Sequence, residues 1–291
     1  MSPSVSVGLC LAVGTALLSV LGFLYKHRGA AASPPVEPRR PVRTSFALFR
    51  SGWYLIGLAV AMGSWGLHVG ALALAPISLV QSVIAGGLVL LTVVADRMFG
   101  FAVTGREWIG VALTAAGLAF LAATLEGGAD SAHSAASTGP LAAVVGGAAA
   151  LGLLIAVASR SVRRGGPLLG AAAGLIWAAS DVSIKALSDH LGDGAGAVLL
   201  GPLAPIILVA SLVGLGVSAR SLQIGPAVPV IAVTSAAANL VTIASGPAVF
   251  GEPLPDDARG LVLRVLAFGL VIFAAALTPP PRPAIPGRRG P

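Results

Sequence analysis

Ala75-Pro76-Ile77-Ser78-Leu79-Val80-Gln81-Ser82-Val83 opens one apolar run of this chain, and Gly225-Pro226-Ala227-Val228-Pro229-Val230-Ile231-Ala232-Val233 opens another. The prolines at their heads stand 150 residues apart. Phe99-Gly100 follows the first run and Phe250-Gly251 the second, so one inserted residue reconciles the spacing. Each Phe-Gly pair precedes a short linker and another apolar run. Counted along the chain these runs are the third and the eighth. They are five places apart in that order, an odd number, so they cross a bilayer in opposite senses. Inverted repeats of this kind place a substrate site near the midplane of secondary transporters, between the two halves.

Composition makes such runs membrane spans. The 291 residues are 56% hydrophobic and 10% charged, with mean hydropathy +0.93. A soluble domain carries about 25% charged residues, so a water-soluble enzyme is excluded. The 38 Gly and 21 Pro lie largely within apolar runs, where membrane helices tolerate them. Aromatic residues make up 5%, too few for the girdles of a transmembrane barrel. The expected class is therefore all-α, a polytopic membrane helix bundle of about nine transmembrane helices with an inverted repeat. The spans read as 5–25, 52–74, 77–95, 108–125, 141–158, 168–187, 197–217, 222–246 and 260–277. The first is no cleaved signal peptide, because it lacks a basic leader and its apolar core is too long. Cys10 stands alone, which rules out an intramolecular disulfide and a Cys-based metal site.

Lys and Arg in short loops orient the bundle. Lys26, Arg28, Arg39, Arg40, Arg43 and Arg50 put the loop 26–51 in the cytoplasm. Alternation then places 15 of the 18 basic residues inside, all but Lys185, Arg259 and Arg264. Glu126, Asp130, Asp189, Asp193, Glu252, Asp256 and Asp257 fall on the opposite side. The N-terminus is outside and the C-terminus inside a cytoplasmic (inner) membrane. The net charge of +7 is thus a topology signal facing the lipid bilayer, and no nucleic-acid partner is implied. The organisation is a first half over 1–158, a second over 159–278 and a disordered tail over 279–291.

The segment Leu74-Ala75-Pro76-Ile77-Ser78-Leu79-Val80 resembles the start of the third helix in drug/metabolite transporter (EamA-like) proteins. Leu222-Gln223-Ile224-Gly225-Pro226 is similar to the start of their eighth. Phe250-Gly251-Glu252-Pro253-Leu254 is similar to the turn before their last helices, and Ser183-Ile184-Lys185-Ala186-Leu187 resembles a magnesium-transporter-like branch. The resemblance covers most of 52–277 and implies two five-helix halves around a central site. This chain departs from it after Leu277, where Pro279-Pro280-Pro281-Arg282 leaves no tenth span. Nine spans also occur in the magnesium-transporter-like branch. A homodimer is left open, since the missing helix is one that would contribute to such a contact.

Polar side chains inside spans mark the expected site. Asp181 and Lys185, spaced i,i+4, are expected to pair. His68 is placed to bind solute or relay protons, or simply to bond a neighbouring helix. Ser78, Gln81 and Ser82 on the third span face a matching set on the eighth: Thr234, Ser235, Asn239 and Thr242. Gln81 and Asn239 carry most weight, because an unsatisfied amide in lipid is expensive. The substrate-binding set is Gln81, Asn239, Ser78, Thr242, Asp181, Lys185 and His68. Arg264 either completes this cluster or snorkels. Gly66–Gly70 and Gly170–Gly174 read as close-packing pairs, Pro202 and Pro205 as kinks in the seventh span, and Glu252, with Asp256 and Asp257 at the outer mouth, either as an attractor of cations or as part of a solvated acidic loop.

No catalytic constellation, metal set or cofactor motif is present in the sequence, so no enzyme is expected. The function expected is a permease moving a small-molecule solute by alternating access. The alternatives are a divalent-cation, magnesium-like transporter and a non-transporting membrane scaffold. A reporter fused after Thr278 should be active only as a cytoplasmic reporter; periplasmic activity there would overturn the span count or the orientation.

Overall fold

The structure, a computed structural model, describes residues 2–34, 48–86, 109, 113, 131–159, 165–225, 227–255 and 257–276. Among these residues every regular element is helical. We number the long helices α1 (Pro3–Ala31), α2 (Gly52–Leu74), α3 (Ile77–Gly86), α4 (Thr138–Ala158), α5 (Gly166–Leu187), α6 (Leu203–Ile224), α7 (Ala227–Phe250) and α8 (Ala258–Ala276). Six of them, α1, α2 and α4 to α7, are long and apolar enough to cross a membrane. The third expected span beyond Gly86, the fourth apart from Ile109 and Leu113, most of the first loop and the tail lie outside the described residues.

Burial is inverted relative to a soluble protein. Leu154, Leu212 and Val209 on the long helices are 67%, 61% and 59% exposed, while Lys185, Ser180 and Ser183 are fully buried. Apolar side chains facing outward over helices of membrane length are what a lipid solvent requires. α1 packs chiefly on α2, and α5 lies at the centre of the second group, against α4, α6 and α7.

Helix ends follow from local chemistry. Ser2 caps α1, accepting from the Val5 amide, with Pro3 at the first helical position. α7 stops where Gly251 takes a left-handed φ of +62°, which turns the following Glu252 back under the helix. Two boundaries differ from the hydropathy reading. The seventh span does not end at 217: α6 runs through Arg220 to Ile224 and is capped by Gly225. Pro202 is the N-cap of α6 and Pro205 lies in its first turn, so they open the helix and do not kink it.

α2 and α6 end alike. Ala75 (φ −139°, ψ 157°) and Gly225 (φ −125°, ψ 158°) are both extended, and each amide donates back to the last turn at 2.9 Å. Proline follows in both cases. Having no N–H, it leaves the carbonyl four residues earlier without a helical partner. Those carbonyls are Leu72 and Leu222. Lys185, at the end of α5, donates to Leu72 O at 2.7 Å, to Ala75 O at 2.9 Å and to Ala132 O. The imidazole of His27, near the end of α1, reaches the Leu222 carbonyl. Each helix break is therefore faced by a basic side chain from the other group of helices, and at the first the lysine bonds it directly.

Close approach is concentrated on one of the two glycine pairs. A Cβ on Gly174 would stand 2.2 Å from the Thr234 carbonyl oxygen, and one on Gly170 would stand 3.0 Å from Val230 O. Gly66 has nothing within 4 Å, so only the second pair is a tight backbone contact on both residues. Gly174→Ala should therefore cost about 1–3 kcal/mol by overpacking α5 against α7. Gly66→Ala should stay within about 0.5 kcal/mol of the parent. Thermal unfolding in detergent separates the two, and equal losses would contradict this packing.

Candidate functional site

A cavity of about 180 Å³ lies among α1, α2, α3, α5 and α7. Each helix contributes side chains one turn apart, because residues i and i+4 share a helix face. α1 supplies Thr15 and Ser19, α2 Ser64 and His68, α5 Trp177 and Asp181, and α7 Ser235 and Asn239. Gln81 comes from α3, and Lys26 closes the α1 side. A larger groove of about 350 Å³ runs between α4, α5 and α6. Its walls are wholly apolar, including Leu153, Ile176 and Val209, so it holds no group to orient a solute.

Asp181 organises one end of the polar cavity. Its Oδ1 lies 3.1 Å from His68 Nε2, and its Oδ2 accepts from the Gln81 side-chain amide at 3.3 Å. The imidazole approaches the carboxylate out of hydrogen-bond alignment, and neither ring nitrogen has an aligned partner, although His68 is 7% exposed. Asn239, 3% exposed, makes no side-chain hydrogen bond to the described residues. The hydroxyls are less free: Ser64 donates to Thr15 O and lies 2.7 Å from Ser19 Oγ, stitching α1 to α2.

The expected Asp181–Lys185 pair does not form. The Lys185 ammonium is taken by three backbone carbonyls, one of which the Pro76 break strands, and Asp181 faces His68 and Gln81. Lys185 therefore lies outside the cavity lining, as do Ser78 and Thr242. Thr242 Oγ1 donates to carbonyls of its own helix, Ala238 and Asn239. The Ser78 amide, in the first turn of α3, donates to Glu252 Oε1 at 3.2 Å. Glu252 is 4% exposed, so it is a buried cap on α3 and no part of a solvated acidic loop. The side chain of Arg264 and the whole of Asp256 are outside the described residues.

The structure brings together Gln81, Asn239, Asp181 and His68. It adds Thr15, Ser19, Phe23, Lys26, Ser64, Trp65 and Trp177, which the sequence reading passed over. The i,i+4 pairs Thr15/Ser19, Ser64/His68 and Trp177/Asp181 were the available signal. Lys26 reads as a loop charge, yet it lies inside α1, with its ammonium 4.4 Å from the centre of the Phe23 ring. Comparison with known proteins finds no family, no curated sequence and no solved structure that matches this chain.

Lys185→Met should strand the Leu72, Ala75 and Ala132 carbonyls, at about 1–3 kcal/mol for each group left unpaired. Adding Asp181→Asn should bring no recovery, because the two residues share no partner. Unfolding midpoints of the single and double variants check this; a double variant more stable than Lys185→Met alone would restore the abandoned pair.

Proposed function

We propose that this protein is a multi-pass permease that moves a small polar solute by alternating access through the cavity between its two groups of helices. The observation that carries the proposal is the cavity itself. Among the described residues buried His68 has no aligned hydrogen-bond partner there, and the Asn239 side chain on the same wall makes no hydrogen bond, inside a bundle whose outer faces are apolar. Polar groups left unpaired in such surroundings are costly unless something else pairs with them. A solute in transit is the occupant that α1, α2 and α3 from one side and α5 and α7 from the other could share.

An inverted repeat of drug/metabolite transporter type supports the mechanism. Lys185 donates to Leu72 O and His27 lies by Leu222 O, and 150 residues separate the two carbonyls just as they separate Pro76 from Pro226. The starts of α1 and α5 lie against the corresponding breaks. A Cβ on Gly8 would meet Ala75 Cβ at 2.8 Å, and one on Gly166 would meet Gly225 Cα at 2.6 Å. Both pairs of contacts are what two halves related by a pseudo-two-fold axis would give, and such halves can exchange conformations to open the site to either side. The magnesium-like reading has less support. Asp181 is the one carboxylate among the described lining residues, whereas hard divalent cations take six or more oxygen ligands.

Cysteine accessibility tests the proposal. In a Cys10→Ser background, Ala238→Cys puts a thiol on the cavity wall. A membrane-impermeant thiol reagent should modify it from either side of sealed vesicles, and each reaction should slow by more than about tenfold when the opposite conformation is trapped. Reaction from one side only, or from neither, would sink alternating access through this cavity.

A further inference from the structure

The last turns of α1 present three faces. Phe23 and Lys26 line the cavity, and His27 lies by Leu222. Tyr25 and Arg28, three residues apart, make a third face that neither the cavity nor the helix break uses. The indole of Trp53, in the first turn of α2, lies across it. Its ring stacks on Tyr25 with centroids 5.8 Å apart and planes 13° from parallel. The Arg28 guanidinium carbon stands 4.1 Å from its centre. A Cβ on Gly29 would meet Tyr54 Cα at 2.7 Å, so α1 and α2 touch backbone to backbone here and hold this stack in place.

Stacking uses the face of a guanidinium and leaves its edge, where the N–H donors form a fork that matches phosphate oxygens. Arg28 is exposed, so that edge is open to the surroundings, and the stack fixes its direction. Arg50, also exposed, closes the short turn Leu48–Arg50 three residues before Trp53. Neither arginine has a carboxylate partner among the described residues, whose ion pairs are His68–Asp181 and His190–Asp193. Beside these charges the surface is apolar: Trp53 is 41% exposed, Phe49 40% and Ile56 48%. Trp53 and Ile56, three apart on α2, share a helix face that runs from the arginines into the span.

We infer that this face binds one anionic phospholipid, with its phosphodiester between Arg28 and Arg50 and an acyl chain along Trp53 and Ile56. The site stands apart from the cavity and from the permease reading. Charge complementarity identifies the occupant. The loop 26–51 carries six Lys and Arg residues against Glu37 alone, so a headgroup here meets a strongly positive field. A zwitterionic headgroup brings its own cation next to the guanidinium groups and loses most of that attraction. A headgroup of net negative charge, such as phosphatidylglycerol, keeps all of it. The apolar strip below the arginines requires the anion to carry a hydrocarbon tail, which free phosphate lacks. Charge-assisted bonds from a fork held in one direction favour a lipid bound at one place over general attraction to the leaflet.

Native mass spectrometry tests this on the full-length protein in non-ionic detergent. Phosphatidylglycerol and phosphatidylcholine with the same acyl chains are added in equal amounts, and the lipid retained on the protein is counted. A single phosphatidylglycerol should be retained at least about tenfold over phosphatidylcholine. Arg28→Gln and Trp53→Leu should each reduce that preference to about threefold or less. Arg28→Lys should do the same, because a point charge neither stacks nor forks as a guanidinium does. Arg220→Gln is the control. It removes a charge near the same end of the bundle, since its neighbour Ala219 packs with Ala30, Leu48 and Tyr54, but it lies outside this face and should keep the preference. Retention of no lipid, equal retention of the two lipids, or an equal loss in Arg220→Gln overturns the inference. So does displacement of the lipid by glycerol phosphate at about 10 mM, which would make this a site for a free anion. The ratio on the unmodified protein decides even if a variant fails to fold.

Discussion

A proline at a helix break inside a membrane removes one donor and strands one acceptor, and lipid offers neither a replacement. In this protein that happens at Pro76, and the stranded acceptor is the Leu72 carbonyl. Lys185 satisfies it, together with Ala75 O, from the far side of the bundle. Glu252 answers the opposite need at the start of α3 by accepting from the Ser78 amide. A cation on the closing carbonyls and an anion on the opening amides match the partial charges of the two helix ends. The break is held open by charges that each find a use.

The same contact sets the register of the cavity. Leu72 is one turn above His68 on α2, and Lys185 is one turn above Asp181 on α5. The two contacts climb both helices together, so α2 and α5 run parallel here, and fixing the upper rung places the imidazole 3.1 Å from the carboxylate on the lower one. At the second break, His27 reaches Leu222, and the lower rung on α1 is Phe23 in place of a carboxylate. Breaks that are built alike thus sit beside unlike chemistry, and the polar end of the cavity lies at only one of them.

Much of this was legible in the chain. The prolines marked both breaks, and hydropathy found the long helices. The rule that amides avoid lipid singled out Gln81 and Asn239, which line one cavity. The failures share a cause: partners across space were guessed from neighbours along the chain. The i,i+4 spacing offered Lys185 to Asp181, whereas counting acceptors around Pro76 would have shown a carbonyl in need of a donor. The end of α6 was misplaced because hydropathy falls at Ser218–Ser221, while its backbone bonds continue to the residue before Pro226. Lys26 and Glu252 were assigned to loops because charge is a good guide to topology and a poor one to depth.

The mending of the Pro76 break has a consequence for how the chain is made. Leu72 and Lys185 are 113 residues apart, and at translation speeds of roughly 5–20 residues per second the ribosome needs about 6–23 s to supply the lysine. For that interval the Leu72 acceptor is without its donor, whereas His27, which lies by the Leu222 carbonyl, precedes the α6–α7 break in the chain. Biosynthesis is therefore lopsided. A nascent chain that ends before position 185 holds the Leu72 carbonyl without the donor that serves it in the finished bundle.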